Sequence, residues 1–150
     1  MAENPHYKEL LQALNDYEVE YLIVGAVALA HHGVPRFTGD LDIPVRNSPE
    51  NARRLEAALD LFGFAGLGLK ASDFVNSNQV VQLGLPTNRI DVLTSITGVT
   101  FDEAWESRFR GELGGIQSNF IGHQALIQNE RATGRPQDIA DLKSLEAKGV

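Results

Sequence analysis

The sequence predicts a single α/β domain of the α+β kind, with a mixed central sheet flanked by helices and a helical pair at its C-terminal end. Three observations support this fold class. The chain has 150 residues, the size of one ordinary domain, and 43% of them are hydrophobic, which is enough to bury a core. Short apolar runs typical of strands alternate with segments whose apolar residues recur at helical spacing. Neither an internal repeat nor a long linker divides the chain.

The N-terminal segment predicts a helix, a strand and a second helix. Asn4 and Pro5 suit the N-cap and first position of an amphipathic helix, whose apolar face consists of Tyr7, Leu10, Leu11 and Leu14. The apolar run 21–24 predicts a buried strand. A short helix follows over 26–32, and Gly33 is suited to its C-terminal cap.

A second strand and a longer helix come next. The strand is predicted by apolar residues that alternate with polar ones, namely Leu41, Ile43 and Val45. Pro44 cannot donate a ladder hydrogen bond, so we expect this strand near an edge or a bulge. Ser48 and Pro49 are typical of a helix start, and this helix runs to Gly63.

The second half predicts two strands that return on each other around a turn at 86–88, then a short helical turn and a closing pair of helices. The strands span 80–85 and 89–94, the helical turn 102–107, and the two helices 122–133 and 136–147. The segment 108–117 fits no single element. A strand with a turn at Gly114 and Gly115 is one interpretation, and its boundaries stay open.

Composition excludes several classes of function. Lys and Arg number 13 against 20 Asp and Glu, and the net charge of −7 disfavours bulk binding to duplex DNA. Acidic side chains grouped in one site can still hold a divalent cation. The absence of cysteine excludes disulfide frameworks and zinc–thiolate sites. Residues 1–5 are polar and no apolar run approaches the ~20 residues that span a bilayer, so we expect a cytoplasmic protein without a membrane partner.

Three aspartates and a glycine form the strongest candidate site. Asp40 and Asp42 are two residues apart on one strand, so their side chains point the same way, roughly 6.6 Å apart along it. Asp91 lies on a later strand and could act as a third metal ligand or as the base that deprotonates an attacking hydroxyl. Gly25 and Ala26 begin a helix directly after a strand, where backbone N–H groups can meet phosphate. Together these residues predict a site for a divalent cation and phosphate groups.

A purely structural explanation of the same residues stays open. Two aspartates on the solvent face of a strand are common without any metal. Asp91 lies in an otherwise apolar strand, where a buried carboxylate needs a cationic partner, and Arg89 or Arg36 could be that partner. The combination of three carboxylates with the glycine junction favours the metal site.

Three stretches carry a resemblance to a known family. They are VGAVALAHHGVPRFTGDLDIPV (24–45), RIDVLTSITGVTFDEAW (89–105) and QALIQNERATGRPQDIADLKSLE (124–146). The sequence resembles the nucleotidyltransferase superfamily with the DNA polymerase β-like palm, and especially its small bacterial branch related to AbiEii-type toxins and minimal nucleotidyltransferases. The glycine junction, the Asp-x-Asp pair and the third aspartate follow one another in the family's order.

The resemblance implies transfer of a nucleoside monophosphate from a nucleoside triphosphate, such as ATP, to a hydroxyl of an RNA end or a protein. Asp40, Asp42 and Asp91 would bind Mg²⁺ or Mn²⁺ and complete the catalytic site. The nucleotide contacts that it implies are Gly25, Ala26, Arg36, Thr38, Arg135 and Asp138. A toxin–antitoxin role in a bacterium is the corresponding biological expectation.

Two departures from the family pattern support an alternative. Ala26 stands where the family has a second glycine or a serine, and Glu130 stands where its closing motif carries a lysine. A glutamate would repel the phosphate that a lysine attracts. The alternative is therefore a catalytically degenerate nucleotidyltransferase-like module that binds a nucleotide or a protein. A metal-dependent glycosyltransferase is a weaker third hypothesis, because such enzymes also use Asp-x-Asp.

The length of the chain also bears on its partners. At 150 residues it leaves little room for a separate region that recognises the acceptor. We therefore expect a homodimer, or a second protein such as a cognate antitoxin, to supply those contacts.

Overall fold

The computed structural model describes residues 5–34, 40–62, 68–83 and 89–147. Its helices are α1 (Pro5–Asp16), α2 (Gly25–His31), α3 (Pro49–Phe62), α4 (Phe101–Glu106), α5 (His123–Thr133) and α6 (Pro136–Ala147), with a 3₁₀ helix at Ala71–Phe74. Its strands are β1 (Leu41–Pro44), β2 (Val80–Leu83), β3 (Ile90–Leu93), β4 (Phe109–Leu113) and β5 (Ile116–Phe120). The expectations for Asn4, Gly63 and the turn at 86–88 lie outside the described residues.

The central sheet is mixed, as the sequence predicts. Its strand order is β1-β3-β2, with β1 parallel to β3 and β2 antiparallel to β3. β1 is an edge strand of this sheet, which is the position expected from Pro44. The parallel register sets Asp42 beside Asp91 and Ile43 beside Val92. Two acidic residues far apart in the chain thereby become neighbours.

The segment 108–117, whose assignment the sequence leaves open, belongs to a two-stranded hairpin of β4 and β5. Gly114 and Gly115 form its turn with φ angles of +60° and +86°. Positive φ at both central residues is the requirement of the tight turn that matches the twist of paired strands. The glycine pair therefore fixes the hairpin.

The apolar run 21–24 is buried as predicted, but it does not form a continuous strand. Val24 bridges to Asp42 of β1 and Tyr21 bridges to Val45 just after it, whereas Ile23 bridges to β5. The Leu22 N–H donates to the Pro44 carbonyl at 2.9 Å, and proline has no N–H to donate in return. The ladder is broken at that pair, so the segment joins the two sheets through single bridges.

The helices cover this frame and enclose the core. The predicted apolar face of α1 is confirmed, since each of its members is at most 1% exposed, namely Tyr7, Leu10, Leu11 and Leu14. α1 packs against α3 and β5, while α5 and α6 pack against each other as the predicted closing pair. None of the helices in the described ranges has both the length and the apolar character needed to cross a bilayer.

Candidate active site

Gly25 lies at the first position of α2, immediately above the acidic edge of β1. Its φ angle is +71°, a conformation that residues with a side chain rarely adopt. A Cβ atom at this position would lie 2.6 Å from Oδ2 of Asp42. The Val24 N–H also donates to the Asp42 carbonyl at 3.1 Å, which holds the two chain segments together. Glycine is therefore favoured here both by the backbone and by the adjacent carboxylate.

Three predicted carboxylates meet at one end of the β1–β3 pair. Asp42 and Asp91 are register partners on adjacent strands, and Asp40 comes directly before β1. All three line a cavity of about 350 Å³ together with Gly25 and Ala26. The structure therefore brings these five residues together at one cavity, and their role in binding metal and phosphate stays a prediction.

Arg89 supplies the cation for two of the three aspartates. Its Nε donates to Oδ1 of Asp91 at 2.7 Å and its Nη2 donates to Oδ2 at 3.2 Å. The same guanidinium is 3.6 Å from Oδ2 of Asp40, and the Arg89 backbone N–H donates to Asp40 Oδ1 at 3.3 Å. The sequence offers Arg89 or Arg36 as the partner of Asp91. Arg89 pairs with it, and Arg36 lies outside the described residues.

Asp42 differs from its two neighbours because no ion pair joins its carboxylate to a described residue. It is largely buried, and burial raises its pKa to about 6, with the Asp91 and Asp40 carboxylates adding to the rise. Arg89 and Arg135 only partly offset this effect. Of the three aspartates, Asp42 is the one without an ion pair to a described residue, and a divalent cation at this position would supply its opposite charge, so the donor set fits such an ion.

The opposite wall of the cavity comes from the α5–α6 pair. Asp138 is 1% exposed and accepts hydrogen bonds from the Thr133 hydroxyl at 2.6 Å and from the Arg135 backbone N–H at 3.2 Å. Arg135 also donates to it through Nε at 2.8 Å and Nη2 at 3.2 Å. Burial alone would raise the pKa of Asp138, but hydrogen bonds from Arg135, Glu130 and Thr133 hold it well below its usual range.

Glu130 lies behind this pair, and its surroundings reduce the negative charge expected from its sequence position. The side chain is 4% exposed, and burial, followed by hydrogen bonding to Asp138, raises its pKa to about 8. At neutral pH most of the population is therefore protonated and uncharged. The repulsion of phosphate expected from a glutamate at this position is correspondingly weak.

A second cavity of about 490 Å³ adjoins the first. Its own lining is mostly apolar or uncharged and includes Pro44, Leu93, Ile96, Thr97, Asn129 and Ala132. The two cavities share Gly25, Asp42, Glu130 and Arg135. The first, acidic cavity therefore lies beside a second, less polar cavity, with Asp42 and Arg135 at their boundary.

The structure also shows which site residues the sequence reasoning missed. Arg36 and Thr38 lie outside the described residues, so their roles stay predictions. Asp141 lines the first cavity but was not predicted, although it follows Asp138 by three positions and so shares its helix face. Arg89 was considered only as a partner of Asp91. Its spacing of two residues from Asp91 along one strand indicates that both side chains face the same way.

Similar folds are known, although no protein-family model and no curated protein sequence matches the chain. TM1012 of Thermotoga maritima, a protein assigned as a nucleotidyltransferase, is 16% identical with a TM-score of 0.62, covering 95% of this chain and 91% of that one. The antibiotic-resistance factor ANT(2'')-Ia is 15% identical with a TM-score of 0.56, covering 95% and 80%. An antigenic nucleotidyltransferase-like protein from Paracoccidioides brasiliensis is 18% identical with a TM-score of 0.54, covering 97% and 76%.

These similarities establish the fold class. The chain has a nucleotidyltransferase-like fold, as the resemblance in its sequence implied. At this level of identity the shared fold does not carry an activity with it. The function has to be argued from the site.

Proposed function

We propose that the protein is a divalent-metal-dependent nucleotidyltransferase, which moves a nucleoside monophosphate from a nucleoside triphosphate to an acceptor hydroxyl. The observation that carries the proposal is the state of the Asp42 carboxylate. It is largely buried, it forms no ion pair with a described basic residue, and it is flanked by Asp40 and Asp91. The nucleotidyltransferase-like fold and the adjoining pair of cavities support it.

Each site residue has a role in this proposal. Asp40, Asp42 and Asp91 would hold Mg²⁺ or Mn²⁺, which supplies charge neutralisation to the phosphates when bound. Gly25 and Ala26 line the same cavity, and their backbone N–H groups would donate to the triphosphate. Arg135 is 63% exposed in its side chain and lies at the boundary of both cavities, where it would meet phosphate while Asp138 positions it.

The transfer is an in-line displacement. The acceptor oxygen forms a bond to the α-phosphorus, and the bond from that phosphorus to the bridging oxygen breaks. Pyrophosphate leaves with the electron pair. The hydroxyl proton passes to a carboxylate of the site, for which Asp91 is our candidate. Positioning and charge neutralisation supply most of the acceleration in such reactions.

The acceptor is proposed to approach through the second cavity, whose mixed lining suits a sugar or a side chain better than a polyphosphate. A hydroxyl of an RNA end and a hydroxyl of a protein both fit this description. A homodimer or a separate protein partner, including an antitoxin, would complete acceptor recognition. Arg36 and Thr38 are proposed as further nucleotide contacts.

The first prediction tests the catalytic assignment with an Asp42→Asn substitution. We expect transfer to fall by on the order of 10²–10³-fold, because the neutral amide removes the charge at the centre of the carboxylate group. The measurement is Mg²⁺-dependent pyrophosphate release from each of the four nucleoside triphosphates, with total RNA and total protein as acceptors. Asp60→Asn, an exposed aspartate on α3, is the matched control and should behave as the unmodified chain. Unchanged release in the Asp42 variant would contradict the assignment.

One observation favours a second candidate function. Arg89 already neutralises Asp91 and contacts Asp40, so two of the three carboxylates are satisfied within the chain itself. A catalytically degenerate module that binds a nucleotide or a protein would show this arrangement. Such a module would bind a nucleoside triphosphate without releasing pyrophosphate, whatever the acceptor. Pyrophosphate release that depends on Asp42 would exclude it.

A further inference from the structure

A second acidic group lies on the α5–α6 side of the first cavity. One carboxylate oxygen from each of Glu130, Asp138 and Asp141 lies within 4.8 Å of the other two. All three residues are buried and all three line the cavity that also holds Asp42. We propose that Glu130, Asp138 and Asp141 form a second binding site for a hard divalent cation, separate from the Asp40–Asp42–Asp91 group.

The unpartnered oxygen of Glu130 points to a ligand. The side chain is 96% buried, from a relative exposure of 4%, and its Oε2 atom has no hydrogen-bond partner. A buried carboxylate oxygen without a partner is costly, and native structures rarely leave one. A cation between the three carboxylates would satisfy it in place of the proton that Glu130 shares with Asp138.

Asp138 has capacity for an ion, and Asp141 lies beside it. Of the hydrogen bonds that Asp138 accepts from Thr133 and Arg135, three reach Oδ2 and one, at 3.2 Å from Arg135, reaches Oδ1. A carboxylate offers about four lone-pair sites, so Oδ1 retains room for a ligand bond. Asp141 follows Asp138 by three positions on α6 and so presents its carboxylate on the same face.

The chemistry of the donors defines the class of cation. All three ligands are oxygens, with neither nitrogen nor sulfur among them, which favours Ca²⁺, Mg²⁺ or Mn²⁺. Calcium–oxygen distances of about 2.3–2.6 Å keep any two ligand oxygens within about 5.2 Å of each other, and the three oxygens, all within 4.8 Å of one another, meet that limit. Arg135 pairs with Asp138 in this group, and the Arg135 side chain is largely exposed.

The test counts Mn²⁺ bound to the full chain without nucleotide, by electron paramagnetic resonance of the free ion at pH 7.5. We expect Asp141→Asn and Glu130→Gln each to bind one Mn²⁺ fewer per chain than the unmodified protein. Asp42→Asn should keep that ion. Glu146 is an exposed acidic residue on α6, the helix of Asp141, and Glu146→Gln should bind as many Mn²⁺ ions as the unmodified protein. Ca²⁺ should displace the same Mn²⁺ ion.

Each other outcome overturns the proposal. Unchanged Mn²⁺ binding in a folded Glu130→Gln variant would show that Glu130, Asp138 and Asp141 bind no ion and share only protons. Loss of the same ion in Asp42→Asn and Asp141→Asn would show a single site around Asp42. Circular dichroism identifies a variant that fails to fold, and Glu130→Gln then decides the matter because it preserves the side-chain shape. The result is independent of nucleotidyl transfer, since an ion lost only in the α5–α6 variants stands even if no triphosphate is used.

Discussion

At the scale of single residues, Gly25 links backbone conformation to the position of the Asp42 carboxylate. A methyl group at Gly25 would lie 2.6 Å from Oδ2 of Asp42, which is the far end of a side chain and can rotate away. The positive φ adds a strain of about 1–2 kcal/mol for a residue with a side chain. Substitution should therefore cost some stability and also move the carboxylate that carries the proposed function.

The Gly25→Ala substitution separates these two effects. Gly68 has the same φ of +71°, and a Cβ at that position would meet nothing within 4 Å. We expect Gly25→Ala and Gly68→Ala to lower the free energy of unfolding by comparable amounts, about 1–2 kcal/mol in urea. Only Gly25→Ala should reduce Mg²⁺-dependent transfer. Equal activity in the two variants would show that the position of Asp42 does not depend on the glycine.

Glu130 gives a prediction about pH. Its pKa in the fold, about 8, lies above its ordinary value of 4.5, so the folded state keeps the proton to higher pH than the unfolded chain does. The stability that this group contributes is complete below about pH 4.5 and is lost as the pH rises towards 8. With a chelator present, the unmodified protein should become less stable relative to Glu130→Gln between pH 5 and pH 8. Urea unfolding of both chains at several pH values measures the difference, and parallel curves would contradict the prediction.

At the level of secondary-structure elements, the two adjoining cavities form one cleft, whose walls are the β1–β3 pair and the α5–α6 pair. Arg89 lies directly before β3 and serves as an internal cation for the acidic edge of β1. Its guanidinium therefore competes with any metal ion for the same carboxylates. Because of this competition, measurements of metal binding alone, without an acceptor substrate, can distinguish a structural ion pair from a metal-binding site.

The Arg89→Gln substitution removes the competitor. Without added metal, we expect a lower melting temperature, because Asp91 is left buried without its cation. Added Mg²⁺ or Mn²⁺ should raise the melting temperature of Arg89→Gln more than that of the unmodified chain. Arg54→Gln, which removes a surface pair with Glu50 on α3, should show no such difference. If the metal raised the melting temperature of Arg89→Gln and of the unmodified chain equally, the carboxylates would serve only the internal ion pair.

The sequence predicts these elements well where one local signal decides the structure. The apolar face of α1 and the two acidic strands follow from spacing alone, and the register between Asp42 and Asp91 brings the predicted site together. The break in the segment 21–24 depends on Pro44, which lies twenty residues further along and becomes its neighbour only in the fold. Glu130 illustrates the same limit, since its charge state is set by burial against α6.

At the scale of the whole molecule, the cleft between the sheet and the α5–α6 pair should respond to nucleotide as one unit. Its two cavities share residues from α2, β1 and α5, and Arg135 between α5 and α6. A ligand that bridges Asp42 and Arg135 would therefore stabilise both walls against unfolding. Because the carboxylates repel a bare triphosphate, the stabilisation should require a divalent cation as well.

Thermal unfolding with each of the four nucleoside triphosphates tests this prediction without knowledge of the acceptor. A ligand at 100 times its dissociation constant adds about 2.7 kcal/mol, which for a domain of this size raises the melting temperature by about 5–10 °C. We expect that rise with at least one triphosphate in the presence of Mg²⁺, and neither without the metal nor in Asp42→Asn. A rise that survives the Asp42 substitution would place the nucleotide away from the three aspartates. A rise with Mg²⁺ but no pyrophosphate release would favour the binding module over the transferase, because both require the same cleft and only one turns over.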